Sequence, residues 1–297
     1  MEHKSVLLQE TIAGLDIKDN DIIVDMTLGG AGHAFETTQT GARNLTVIGI
    51  DADSDAGERA TVKFAGSSAK FIFANVYFDK LNEVLTTQNV SAVNKVIFDL
   101  GYSSFEIDNP ERGFSFQHDG PLMMTYSKQP GEHELTAYDV VNSFEEENLA
   151  DIIYGFGEET FSRRIAAAIV EAREKAPIKT SAELAKIIYE SVPFFYRKGK
   201  SHPATKTFQA IRIAVNNELE RLKIALRDSF EKLAPQGRIA VITFHSLEDR
   251  IVKNYFRDLV KEKVATFINK KPIVPTREEI VGNRRSRSAK LRIIEKL

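Results

Sequence analysis

The chain has 297 residues, 42% apolar and 28% charged, the balance of an ordinary globular protein with room for one large domain or two small ones. It contains no cysteine, which excludes disulfides, thiolate metal sites, iron–sulfur clusters and a cysteine nucleophile. A formal net charge of −2 leaves any nucleic-acid binding to local patches, and with no membrane-length apolar run or signal-like start the expectation is a cytoplasmic protein without membrane association.

Ser5 to Leu15 reads as a short helix, and Ile22-Ile23-Val24 as a buried strand. Asp25-Met-Thr-Leu-Gly-Gly-Ala-Gly-His33 follows, with Ala34-Phe35-Glu36 able to open a helix. Strand, glycine turn and helix is how an α/β sheet offers bare backbone to a nucleotide. Gly30-Ala31-Gly32 supplies a G-x-G, but Phe35 stands where a dinucleotide fingerprint places its third glycine. That favours an adenosyl ligand over a pyrophosphate, with an ordinary tight turn as the bland alternative. A second strand, Leu45 to Ile50, ends on Asp51, which the upstream Gly30 and Gly32 favour as a holder of both ribose hydroxyls over a merely solvated loop aspartate.

Asp53 to Phe64 is helical in character, and a third strand spans Ala69 to Ala74. Its exit, Asn75-Val-Tyr-Phe78, offers rings on which an adenine could stack, although Phe78 fits a core position equally well. Val93 to Leu100 is a fourth strand, ending in Asp99-Leu-Gly-Tyr102. Strands alternating with helices predict a parallel sheet with ligands at its carboxyl ends. The alternation then stops. Residues 103–135 are rich in Gly, Pro, Ser and Asp, and 136–192 read as helices, with capping boxes expected at Ser143–Glu146 and a helix start at Ser181.

Phe194-Phe-Tyr-Arg-Lys-Gly-Lys200 is a basic and aromatic linker. Pro203 opens one long helix, whose apolar stripe runs from Phe208 to Leu233. Pro235 to Arg238 is a turn, Ile239 to Phe244 a fifth strand, and Ser246 with Asp249 a capping box for the helix 247–259. Strands at 264–268 and 289–294 complete the chain. The late strands return to the first sheet, so the division is 1–107 with 204–297, interrupted by a helical insertion at 108–203.

His33, His202 and His245 all fall near strand ends or helix starts, where capping, phosphate contact and general-base roles are each open; no clustered carboxylate pattern supports a metal. Arg197, Lys198, Lys200 and His202 form one basic stretch, and Arg284, Arg285 and Arg287 head another that runs to Arg292. Interleaved serines favour phosphate contact over a merely solvated face. A nicotinamide oxidoreductase would share the early β-α-β pattern, but Phe35 argues against it. A ligandless RNA-binding protein would need no Asp51 opposite the glycine turn.

Several strings together resemble the bacterial RsmH (MraW) family. They are His3-Lys-Ser-Val-Leu-Leu8, Thr27-Leu-Gly-Gly-Ala-Gly-His33, Asp99-Leu-Gly-Tyr-Ser-Ser104, Glu111-Arg-Gly-Phe-Ser-Phe116 and Asp119-Gly-Pro-Leu122, then the run His202 to Asn216, Phe244-His-Ser-Leu-Glu-Asp-Arg250 and Arg287-Ser-Ala-Lys-Leu-Arg292. The resemblance implies a class I (Rossmann-like) S-adenosylmethionine-dependent methyltransferase with a mostly parallel seven-stranded sheet and an inserted all-helical domain. Its implied reaction is methylation of cytidine N4 in the decoding region of 16S rRNA of the small ribosomal subunit; the sequence leaves monomer and homodimer both open. The family's cofactor contacts fall on Ala31, Gly32 and His33, beside Gly30 of the turn, and on Asp51, Phe78 and Asp99. A further contact, usually glutamine, falls on Glu106. Asp99 to Tyr102 is similar to the Asp-Pro-Pro-Tyr motif of amino methyltransferases, which implies catalytic roles for Asp99 and Tyr102; Asp99 serving the cofactor alone is the other reading. Met123-Met-Thr-Tyr126 stands where the family usually has Asp-Met-Arg-Met, and Arg284 where it has proline, departures that bear on substrate contacts more than on the cofactor.

Overall fold

A computed structural model of the protein describes residues 4–101, 104–128, 130–131 and 134–297. The chain divides into two compact units, Met1–Gly101 with Leu219–Leu297, and Tyr102–Glu218. The inserted unit therefore begins before the expected residue 108 and ends after the expected residue 203.

The first unit is built on seven strands, β1 (Ile22–Asp25), β2 (Thr46–Asp51), β3 (Lys70–Asn75), β4 (Val93–Asp99), β5 (Leu233–Thr243), β6 (Ala265–Phe267) and β7 (Lys290–Lys296), in the order β3-β2-β1-β4-β5-β7-β6. Strands β3 to β5 of that order pair in parallel, and β7 runs antiparallel to both its neighbours. The order reverses between β1 and β4, so the crevice at their carboxyl ends is a topological switch point. Side chains alternate between two buried faces, as a sheet covered on both sides requires. Val24, Ile48, Val96 and Val241 join one core, and Ile23, Val47, Ile97 and Ala240 the other.

The helices of this unit are α1 (Leu8–Leu15), α2 (Gly32–Thr37), α3 (Ser54–Phe64) and α4 (Leu81–Thr87). Those of the inserted unit are α5 (Ser104–Asp108), α6 (Ala137–Ser143), α7 (Glu146–Gly157), α8 (Ser162–Lys175), α9 (Ser181–Ser191), α10 (Phe194–Arg197) and α11 (Ala204–Asn216). The chain closes with α12 (Glu218–Lys232), α13 (Ser246–Lys261) and α14 (Arg277–Gly282). Leu15 of α1 and Ala56, Ala60 and Phe64 of α3 cover one face of the sheet; Leu81, Leu226 and Phe256 from α4, α12 and α13 cover the other.

The single long helix expected from Pro203 to Leu233 is two helices. Asn217, at φ 48, is left-handed and ends α11. The apolar stripe changes allegiance there: Phe208 and Ile211 enter the core of the helical unit, whereas Leu222, Leu226 and Phe230 enter that of the sheet. The expected turn at Pro235–Arg238 lies inside β5. The partner register skips from Val93↔Leu233 to Lys95↔Arg238, and Gln236 takes φ 61, so a bulge absorbs the proline and glycine without ending the strand.

The caps also differ from expectation. Ser143 ends α6, and α7 starts from Glu145 with no side-chain cap. Capping boxes form at Thr136/Asp139 and Thr180/Glu183, and at His245/Glu248 where Ser246/Asp249 was expected. In the inserted unit α7 packs on α8 and α11, and α8 on α9, around Leu149, Ile153, Ile165, Leu184 and Phe208. The chain crosses itself near Gly120, where an added Cβ would lie 1.8 Å from the Pro110 carbonyl oxygen, so only glycine fits the Asp119-Gly-Pro turn.

Candidate active site

Three adjacent parallel strands, β2, β1 and β4, each end in an aspartate: Asp51, Asp25 and Asp99. The glycine turn leaves β1 between them. Gly29 at φ 48 and Ala31 at φ 56 are both left-handed, and for Ala31 that conformation carries strain of the kind found at ligand sites. Gly32 opens α2 against Ser5, whose Oγ would lie 1.8 Å from an added Cβ. From α3, Arg59 Nε donates to the Gly29 carbonyl (3.3 Å) and Lys63 Nζ to that of Gly30 (3.4 Å), holding the turn from below. Phe35, in the position that set the turn apart from a dinucleotide fingerprint, meets Phe64 edge-on and belongs to the core.

Asp51 is half-buried. Its Oδ2 accepts the Gly29 amide (2.7 Å) and its Oδ1 the Asp53 amide (2.8 Å), so the carboxylate is fixed at the turn with further lone pairs available. Burial pushes its pKa up to about 6, against the pull of those two amides. Asp25, which the motif reading did not single out, is fully enclosed and also pushed up to about 6 by burial.

Asp99 differs from both. Its amide donates to Thr27 Oγ1 (2.7 Å), which ties β4 to the segment leading into the glycines. Its Oδ2 lies 3.5 Å from His33 Nδ1, while Oδ1 is buried without a hydrogen-bond partner among the described residues. Burial, reinforced by the like charge of Glu248, pushes this carboxyl up to about 7. His33 is buried in turn, with Nε2 2.9 Å from the Val6 carbonyl. A carbonyl only accepts, so Nε2 carries the proton, and neutral His33 presents the Nδ1 lone pair to Asp99. Burial holds the His33 pKa down, which favours this neutral form.

The amino-terminal strap that supplies Val6 is itself held. Leu7, at φ 51, donates its amide to Glu279 Oε1 of α14 (2.8 Å), and Asn283 Nδ2 donates to the Lys4 carbonyl (3.1 Å). That is why α1 begins at Leu8 rather than Ser5. Phe78 is half-buried at the exit of β3, edge-on to Phe98, the residue before Asp99. Beside it Asn75 Nδ2 donates to the carbonyls of Asp51 and Ala52 (2.9 and 3.0 Å), linking the β2 and β3 ends.

A Gly29–His33 turn, a fixed acid at the second strand and an orphaned buried carboxylate oxygen at the fourth fit an adenosyl ligand with a cationic sulfur. The turn brings backbone close and the carboxylates supply acceptors for hydroxyls and ammonium groups. Glu106, buried on α5, belongs to the inserted unit, and Tyr102 lies outside the described residues.

The histidines and basic stretches divide by role. His245 caps α13, its Nδ1 accepting the Glu248 amide, while Glu248 accepts the Phe244 and His245 amides in return. His202 accepts the Ala204 amide at the start of α11 and is stacked between Phe116 (4.6 Å) and Tyr189 (5.8 Å). Arg197 donates to the Val192 and Glu190 carbonyls at the end of α9 (3.0 and 2.6 Å). Lys198 and Lys200 are exposed, as are Arg284, Arg285 and Arg287. Lys290 and Arg292, which end the second stretch, instead clasp Asp249 of α13 (3.1 and 2.7 Å).

In the inserted unit, the departing segment Met123–Tyr126 is tightly held. Arg112 donates to the carbonyls of Thr125 and Tyr126 (2.8 Å each), Asn216 brackets Met124 and Tyr126, and the Tyr126 hydroxyl donates to Glu218 (3.2 Å), which is paired with Arg212.

A doubly wound sheet with antiparallel β7, glycine turn and acidic strand ends at its switch point defines the class I methyltransferase fold. Residues 1–297 match the model of the MraW methylase family, and the chain belongs to that family. The Ribosomal RNA small subunit methyltransferase H of Brevibacillus brevis is 43% identical over 310 residues, covering 99% of this chain and 98% of its own. The protein of the same name from Carboxydothermus hydrogenoformans is 46% identical with the same coverage. A solved rRNA methylase from Streptococcus thermophilus aligns over 100% of this chain and 99% of its own, at 12% identity and a TM-score of 0.44.

Proposed function

We propose that this protein transfers a methyl group from S-adenosylmethionine to the exocyclic N4 of a cytidine in the decoding region of 16S rRNA. The observation that carries this reading is the buried Asp99 Oδ1, unpartnered among the described residues, at the carboxyl end of β4. Membership of a methylase family whose relatives are named for small-subunit ribosomal RNA supplies the substrate class.

When bound, the cofactor supplies an activated methyl group with its leaving group attached, so the protein's work is alignment and electrostatics. Gly30, Ala31, Gly32 and His33 would receive the adenosyl ligand along the turn, Asp51 its ribose hydroxyls, and Phe78 its ring, with Glu106 as a further acceptor. The harder partner is the cytosine amino nitrogen, whose lone pair is delocalised into the ring. An acceptor on its hydrogens draws that pair out of conjugation. Asp99 Oδ1 takes this role, and its carboxylate then receives the proton that the nitrogen loses on methylation. A group of pKa near the working pH suits that exchange. Once Asp99 has taken up that proton, a hydroxyl on its other oxygen can donate to the facing His33 Nδ1 lone pair. The likeness to the Asp-Pro-Pro-Tyr motif would give Tyr102 a catalytic part next to Asp99.

Methylation at cytosine C5 proceeds by adding an enzyme thiolate to C6, and this chain has no cysteine. The base must leave its stack, at a cost of a few kcal/mol that is smallest in single-stranded RNA. Nucleosides from 16S rRNA of a strain lacking the protein should lack N4-methylcytidine, and the purified protein should restore it. Finding 5-methylcytidine instead, or a covalent adduct with 5-fluorocytidine RNA, would overturn the mechanism.

A further inference from the structure

Phe194 and Phe195 are 68% and 71% exposed on α10, side by side, and neither belongs to the helical core. Tyr196, the next residue, turns inward and hydrogen-bonds Glu159. The short helix is held at its base, because Arg197 is committed to the α9 carbonyls and to the face of Tyr189 (5.0 Å), itself stacked on His202. Phe195 rests edge-on against Phe161 at 6.3 Å. Phe195 is thus backed by one ring while both side chains stay exposed.

The stretch that carries them is basic. Phe194 to Ser201 carries three cations and no carboxylate. Lys198 Nζ lies 4.5 Å from the centre of the Phe194 ring, Lys200 is exposed two residues on, and Arg163 and Arg164 are exposed in the first turn of α8, next to Phe161. Open aromatic faces set among cations are how proteins hold single-stranded nucleic acid, since every base has a face to stack and every link a phosphate.

We propose that Phe194 and Phe195 form a stacking platform for unpaired bases of the substrate RNA, with Lys198 and Lys200 taking the flanking phosphates. This deepens the functional reading above and rests on RNA being the substrate. The basic stretch then acts chiefly through its aromatics: Arg197 and His202 build the support, and only Lys198 and Lys200 of that stretch meet the strand.

The test uses the full chain, a short labelled single-stranded RNA and the same strand with its central bases removed. The unmodified protein should bind the base-bearing strand about tenfold or more tighter than the abasic one. Phe194→Ala with Phe195→Ala should erase that preference while leaving the salt dependence unchanged. Phe194→Tyr with Phe195→Tyr should restore it, which separates stacking from a folding defect. Lys198→Ala with Lys200→Ala should instead weaken both strands alike and flatten the salt dependence. The platform is overturned if the double alanine variant keeps the preference, or if it loses affinity equally for both strands. It is equally overturned if that variant binds RNA normally but binds the intact ribosomal subunit weakly, because the rings then face a protein. A protein that shows base-dependent binding but forms no N4-methylcytidine would sink the functional reading and leave the platform standing.

Discussion

Asp99 joins the two demands on this site, an unpartnered oxygen for a ligand and a carboxyl that burial keeps near neutrality. Its pKa of about 7 in the folded chain, against an ordinary value of 3.8, means that the folded state holds a proton that the unfolded state has released. Its stabilising contribution is therefore full below the unfolded value and is lost as pH rises through about 7. Asp25 and Asp51, raised to about 6, act with the same sign over a narrower range, and His33, held down by burial, acts with the opposite one. Asp99→Asn should flatten the fall in melting temperature of the cofactor-free protein between about pH 5 and 8, and should leave it more stable than the parent at the upper end. Parallel curves would place the titration elsewhere. Asp51 plays a different part, since amides already orient it. Asp51→Ala should weaken S-adenosylhomocysteine binding by about 1–3 kcal/mol, and unchanged affinity by calorimetry would remove it from the site. Asp51 and Asp99 were legible because each ends an apolar strand beside a glycine motif. Asp25 ends one too, but the glycine string that follows drew the reading past it. Val6 and Thr27 lie in the family strings, but their contacts to His33 and Asp99 were not readable there, being made by a carbonyl and a hydroxyl that only folding brings near.

At the scale of elements, sequence pattern located every strand of the sheet but misjudged what happens between elements. Alternating apolar faces made β1, β2, β4 and β5 readable, because burial on both sides enforces uninterrupted Val and Ile runs. The break between α11 and α12 was invisible, because a stripe that changes cores keeps its period of three and four. Similarly, Pro235 and Gly237 announce a turn, yet neighbouring pairing on β4 carries the strand through as a bulge. Caps went astray by a residue or two because Ser, Thr, Asp and His compete for the same amides, and packing chooses among them. The helix break is testable. A left-handed residue with a side chain costs about 1–2 kcal/mol, which asparagine tolerates better than a branched residue does. Asn217→Val should therefore lower unfolding stability by about that much, and Asn217→Gly should be close to neutral in urea titrations. Full tolerance of valine would mean that α11 and α12 can run on as one helix.

For the whole molecule, a net charge of −2 gives no general attraction to RNA, so affinity depends on where the cations stand. The two basic stretches look alike in sequence but are not alike in the fold. In the first, Arg197 and His202 serve α9 and a ring stack. In the second, Lys290 and Arg292 bind Asp249 and so fasten β7 to α13, one late motif to another. Arg284, Arg285 and Arg287 remain on the surface, on a short 3-10 turn whose buried Ser286 anchors it. Spaced cations on a turn, with no helix or strand to enter a groove, suit phosphates and carry no base readout. Replacing Arg284, Arg285 and Arg287 with serine should therefore weaken binding evenly across RNA sequences. For every phosphate that is no longer neutralised, the slope of log affinity against log salt should shrink by about 0.7 on a single strand. The neighbouring pair supplies the control: Arg292→Ser should lower thermal stability through Asp249 and leave that slope unchanged. If the triple variant binds RNA more weakly while its salt slope holds, these arginines act through the fold of the turn, and the phosphate site lies elsewhere.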